Sequence, residues 1–333
     1  MIVEKQAGNS AGINWTQSNK TVRTWYALCV TGTGRVIAGS ASDSGIWYSD
    51  DNGINWTQSN KTNDSWLSLC VTPTGRIIAG SASITNGIWY SDDNGVNWTQ
   101  SDITSNNWYS LYVTLTGRII ASCYYNGIWY SDDNGINWVQ SNKSTGTYRS
   151  LCVTGTGRVI AGSASNSGIW YSDDNGINWT QSNKTIGNLS SLCVTPAGRI
   201  IAGGSSNTNY IWYSDDNGVN WTQSNNTNDS WYALCVTPTG RIIACSGSNL
   251  GIWYSDDNGV NWTQSNKADE TWNALCVTST GRIIAGSDNN SGIWYSDVMP
   301  PKYAYTSKPL TGKQAKALVQ QCKAYVQSLK NGN

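Results

Sequence analysis

Carboxylates, arginines and tryptophans recur at fixed intervals along this 333-residue chain, and these are residue types from which a site is built. Trp15, Trp56, Trp98, Trp138, Trp179, Trp221 and Trp262 fall 40 to 42 residues apart. Six of them close a Ser-x-Asp-x-Gly-x-Asn-Trp pattern, which sets Asp51, Asp93, Asp133, Asp174, Asp216 and Asp257 at equivalent positions. Such carboxylates can do acid–base work, bind a cation or shape a turn. The Asp-Asp-Asn-Gly run is calcium-loop-like in outline, but the ligand spacing and the terminal Glu are missing. In a tight turn, Asp and Ser satisfy backbone N–H groups, Gly accepts positive φ and Trp packs over the turn. The pattern favours that structural role. Arg35, Arg76, Arg118, Arg158, Arg199, Arg241 and Arg282 each follow a Thr-Gly or Ala-Gly pair. They either pair with Asp50 and its equivalents or form a positive collar for an anionic partner. Histidine is absent, which excludes imidazole acid–base catalysis and the usual zinc sites, and no cofactor is expected.

The elements that carry these residues repeat as well. Trp66–Val71, Arg76–Gly80, Gly87–Tyr90 and Val96–Thr99 are short runs rich in β-formers, bounded by Gly, Asn, Asp, Ser or Pro. Four antiparallel strands in about 41 residues make one blade of a β-propeller, and seven such units close into a ring. No blade buries enough apolar surface alone, so neighbouring sheets must supply the core. The chain opens on the tail of a repeat, Gly12–Gln17, and ends the repeats on Gly292–Asp297. Residues 12–20 are therefore expected to complete the last blade and remove an exposed sheet edge. The expected fold is all-β, a seven-bladed propeller over residues 1–299, followed by a linker and a C-terminal helix over 300–333. That helix is amphipathic: Ala315, Leu318, Cys322, Tyr325 and Leu329 form one stripe after a Thr311/Gln314 capping box. It either docks on the propeller or mediates self-association.

The Ser-x-Asp-x-Gly-x-Asn-Trp motif resembles the Asp box, or BNR repeat, of sialidases and related propeller proteins, over nearly all of residues 12–297. The resemblance implies a β-hairpin between the third and fourth strands of each blade, at the periphery. It also raises a sialidase-like glycoside hydrolase, a reading the residues can test. That chemistry needs three converging arginines, a Tyr nucleophile with a Glu partner, and an Asp acid–base. Glu4 and Glu270 are the only glutamates, and Arg23 and Arg149 the only arginines outside the repeat, one short of a triad. Sialidase-type propellers also usually have six blades. A non-catalytic binding protein is the preferred expectation, a hydrolase the least favoured.

Strands and boxes hardly change between repeats, whereas two connections in each do. Lys61–Ser65 and Asp102–Asn107 represent the fourth-to-first connections; Ser83–Asn86, Cys123–Asn126 and Ser205–Tyr210 represent the second-to-third. In an up-and-down blade both emerge opposite the boxes, giving one face of diverse, Asn/Ser/Thr-rich loops on a rigid scaffold. Trp25, Trp66, Trp108, Tyr148, Trp231 and Trp272 open the first strands beside these loops, and Tyr124, Tyr125 and Tyr210 lie within them. Flat rings beside amides and hydroxyls suit a sugar, the ring covering the C–H face and the polar groups the hydroxyls. The alternative places the strand-opening aromatics between blades as filling. A lectin-like module is the first expectation; a protein-interaction or assembly scaffold, or a phage or surface appendage component, is the second.

Composition narrows the partners. Net charge is zero and 13% of residues are charged, so nothing electrostatic calls for nucleic acid. No apolar run is long enough to span a bilayer, and the first ten residues lack the apolar stretch of a signal peptide. Cys29, Cys70, Cys152, Cys193, Cys235 and Cys276 share one inner-strand position, Tyr112 replacing them in the remaining repeat. Equivalent positions in different blades do not pair into disulfides, so these thiols read as small buried hydrophobes, and free cysteines point to the reducing cytoplasm or to non-classical export.

Overall fold

Short β-forming runs closed by Gly-containing turns produce seven four-stranded antiparallel sheets in the computed structural model. It describes residues 11–41, 44–164, 168–183, 188–204, 211–225, 229–288 and 291–297. The expected C-terminal helix and its stripe lie outside the described residues. Blade I consists of Trp25–Val30, Val36–Ser40, Ile46–Ser49 and Thr57–Gln58, running from the central channel outward. Blades II to VI repeat this order over residues 66–100, 108–140, 148–181, 189–223 and 231–264. Blade VII takes three strands from residues 272–296 and its outermost from Trp15–Gln17, in antiparallel register with Ile293–Ser296 (Trp15 opposite Ser296). The ring thus closes as the opening fragment of a repeat requires.

Strands shorten outward, from six residues to two. The expected outer strand Val96–Thr99 is only Thr99–Gln100, because the preceding backbone N–H groups bond to the Asp93 carboxylate instead of to a neighbouring strand.

Core lies between blades rather than within them. At the I/II boundary, Ile37, Ile46 and Cys29 of blade I meet Trp66, Ile77, Ala79 and Trp98 of blade II. The closing VII/I boundary repeats the arrangement: Cys276, Ile284 and Ile293 against Trp25, Val36, Ala38 and Trp56. Close approach depends on glycine at one second-strand position. A Cβ on Gly39 would stand 2.8 Å from Trp66 Cβ and 3.1 Å from its carbonyl oxygen. The eight described cysteines are free thiols, six of them at one inner-strand position in these interblade clusters; burial pushes Cys29 and Cys193 up to about 12.

Trp15 is buried in the VI/VII cluster beside Ile243 and Ile283. Trp15→Ala is expected to cost about 3–5 kcal/mol, and deletion of residues 1–20 to lower the melting temperature further by exposing the edge at Ile293–Ser296. An unchanged melting temperature in the truncated protein would refute closure as a source of stability.

Candidate functional site

Each sequence-predicted box carboxylate is consumed by its own turn. Ser49 donates to Asp51 Oδ1 at 2.8 Å, which also accepts the backbone N–H groups of Ile54 (3.2 Å) and Asn55 (2.8 Å). Asn55 Nδ2 reaches Asp51 Oδ2 at 2.7 Å, Gly53 N–H donates to Ser49 Oγ at 2.9 Å, and Trp56 Nε1 donates to the Gly53 carbonyl at 3.0 Å. Gly53 sits at φ 85° and Asn52 at 58°, the left-handed region that Gly and Asn tolerate. Asp93, Asp133, Asp174, Asp216 and Asp257 repeat the carboxylate's bonds to Ser and Asn. Partial burial would raise these carboxyls, but the donated hydrogen bonds outweigh it and hold all six below the ordinary carboxylate value. Among the described residues no group of three or more His, Cys, Asp or Glu could hold a metal.

The repeated arginines resolve in favour of pairing. Arg35 grips Asp50 with Nε and Nη2 at 2.6 and 2.9 Å, lies 4.2 Å over the Tyr48 ring, and passes Nη1 to the Asn94 carbonyl of blade II at 3.0 Å. Arg76, Arg118, Arg158 and Arg199 form the same bracket, and Arg241 forms it with the Ala11 carbonyl. Five donors in a fixed fork suit this double duty within and between blades. No anion-binding collar is left over from these six. Arg282 at the closing seam has a buried Nε with no hydrogen-bond partner among the described residues, and desolvation lowers its pKa.

On the opposite, loop-bearing face the expected aromatic platform is differently composed. Trp25, Trp66, Trp108, Trp231 and Trp272 have no exposed surface, and Tyr148 has 1%. They fill the interblade clusters, so none of these six offers a ring face to a ligand. The cause is local. Trp25 pairs with Ser40 and Ala27 with Gly39, so Tyr26 between them is the extra residue of a β-bulge. The same bulge recurs in every blade. A bulge turns the inserted residue out of the ladder and re-aims its side chain. The residues so placed are Tyr26, Leu67, Tyr109, Arg149, Ser190, Tyr232 and Asn273. Five of them, all but Arg149 and Ser190, line a cavity of about 180 Å³ at the channel mouth with Ser68, Ser110 and Ser191. Inner strands that otherwise read Ala/Ser-Leu-Cys-Val thus carry their most varied residue at the site. That variation was the available signal.

Tyr124 and Tyr125 are exposed as expected, Tyr125 by 65%. Their rings lie 3.8 Å apart, their hydroxyls are hydrogen-bonded at 2.6 Å, and Tyr124 stands edge-on to Tyr109 at 6.0 Å. Tyr125 holds φ 66°, fixed by Gly146 N–H to its carbonyl (3.1 Å) and its own N–H to Thr147 Oγ1 (3.2 Å). Such strain persists only where neighbours over-determine it. Tyr210 lies outside the described residues.

Residues 47–58, 129–140 and 170–181 match the BNR/Asp-box repeat model. The hairpins are Asp boxes. No curated protein matches the chain. The Asp-box ring is similar to virginiamycin B lyase from Staphylococcus aureus at 11% identity, TM-score 0.70, covering 86% of this chain and 99% of that one. YCF48 bound to D1 peptide aligns at 17% identity and TM-score 0.67 over 88% and 97% of the two chains. The extracellular domain of BT4673 from B. thetaiotaomicron aligns at 14% and 0.66, over 86% of this chain and 40% of that one. At these identities the likeness is one of fold.

The depressed Asp-box carboxyls fix the sign of an acid transition. As pH falls through the ordinary Asp value of about 4, the unfolded chain takes up protons before the folded one. The stability these groups contribute is full above that value and is lost as pH falls towards their lower folded values. Urea midpoints should hold level from pH 7 to about 5, then drop, with a shallower drop in Asp93→Asn. A midpoint that rises on acidification would contradict the assignment.

Proposed function

We propose that this chain is a non-catalytic recognition module that holds a saccharide at the channel mouth of the loop-bearing face. One observation carries the reading: a bulge in every blade re-aims the most varied inner-strand residue, and five of the seven residues so placed line one opening. Repetition elsewhere serves the ring, whereas this position differs between blades, as a ligand without sevenfold symmetry requires. Tyr26, Tyr109 and Tyr232 supply rings, and Asn273 with Ser68, Ser110 and Ser191 supplies amide and hydroxyl groups. Tyr124 and Tyr125 extend the aromatic wall outward. Such a lining suits the alternating C–H faces and hydroxyls of a sugar. It contains no carboxylate, which supports binding over two-carboxylate hydrolysis.

A protein partner is the second reading, favoured by the likeness to YCF48, a structure solved with a bound peptide. Glycan-array signal that free sugar competes away supports the saccharide; a silent array with capture of one dominant polypeptide supports the scaffold. Under the first reading Tyr109→Ala and Tyr125→Ala each weaken glycan binding about 10-fold, with the melting temperature of Tyr125→Ala unchanged. Wild-type affinity in both variants would remove the site from this face.

A further inference from the structure

Resting on the recognition reading above, we infer that Arg149 makes this face selective for saccharides bearing a single carboxylate. Arg149 is the bulge residue of blade IV, half-buried, with its guanidinium carbon 5.4 Å from the ring centre of Tyr109, which lines the cavity. Among the described residues its guanidinium makes no ion pair and no hydrogen bond, and its Nε is buried without an acceptor. The molecule elsewhere shows how it treats arginines with structural work: six box-face guanidiniums are clamped by a carboxylate and a neighbouring carbonyl. The described cations of the other loop-bearing connections are likewise engaged. Arg23 donates to Ser44 Oγ, Lys61 pairs with Asp64, Lys267 pairs with Asp269 and Glu270, and Lys20 and Lys143 lie over Trp47 and Trp170.

A half-buried guanidinium whose one contact among the described residues is a ring face loses hydration and gains neither a counter-charge nor a hydrogen-bond acceptor. The cavity beside it holds an unsatisfied donor as well. Asn273 Nδ2, on the bulge of blade VII, is buried and lacks an acceptor among the described residues. Both want oxygen. A carboxylate meets the Arg149 fork, while ring hydroxyls and the glycosidic oxygen meet Asn273 and the serines. Charge count favours a monoanion over a phosphate dianion. Arg149 is one unpaired cation, and the Asp288 carboxylate acts electrostatically on Tyr26 at the same mouth.

The test titrates the purified chain by calorimetry with a galacturonic acid trimer, its methyl ester and galactotriose, after an array of matched acidic and neutral glycans. The inference expects acidic hits and at least about 10-fold preference for the acid over its ester. That preference should shrink as salt is raised. Arg149→Met should lose the acid-over-ester preference; Arg149→Lys should keep part of it, a point charge without the fork. Equal affinity for acid and ester in the wild-type protein, or exclusively neutral hits, overturns the charge selectivity and leaves saccharide recognition standing. A silent array, with no heat from any of the three sugars, overturns both. Comparing acid with ester on the unmutated chain makes the outcome independent of whether either variant folds.

Discussion

Packing of a large first-strand side chain of one blade against a small second-strand residue of the blade before it, glycine against tryptophan at four of the seven boundaries, is the contact on which the ring depends. Gly39 lets the backbone at Trp66 approach until a Cβ on Gly39 would stand 2.8 Å from Trp66 Cβ. The indole then seals a cluster made half from each sheet. A sheet of four short strands cannot exclude water on both faces, so every blade depends on two neighbours and the ring on all seven. Around this packing the polar residues do local work. The Asp box replaces ladder hydrogen bonds with a carboxylate that satisfies two backbone donors at once, and the arginine fork ties that hairpin to the next blade through a carbonyl. Residue types that in other settings perform catalysis or bind cations are here committed to turns and seams.

Division of labour between the two ends of the channel follows. The box end is nearly uniform: Arg35, Asp50 and Asn94 recur as a set in five blades, and Asn94 Nδ2 reaches Thr33 Oγ1 across the boundary as Asn134 reaches Thr74. The loop end is irregular. There the Tyr124–Tyr125 pair, Arg149 and Asn273 each occur in one blade only. Irregularity on a symmetric frame is how a repeated chain obtains a site that no single repeat contains.

Much of this was legible in the sequence, because a period of 40 to 42 residues with four β-forming runs admits few architectures. The closing strand could be read from a repeat fragment at each end, and the boxes from their Ser, Asp, Gly and Trp. The aromatics facing the channel mouth were read one residue out of place. In Trp25-Tyr26 the larger ring looked like the surface residue, yet the bulge sends Tyr26 to the opening and Trp25 into the interface. Strand side chains alternate with period two, so one inserted residue exchanges which neighbour is enclosed. No local composition marks such an insertion; comparing the seven inner strands with one another would have, since the second position varies most. Tyr124 and Tyr125 are exposed, since loop residues carry no such parity.

Blade VII joins Trp15–Gln17 to strands from residues 272–296. During synthesis, therefore, a segment made before the first blade must wait, unpaired, until the final three strands leave the ribosome. Up to that moment the growing arc ends on two uncovered sheet faces rich in isoleucine and tryptophan. The chain is most prone to misassembly just before completion, and a cell expressing it has reason to shield the nascent arc until both ends of the message have been read.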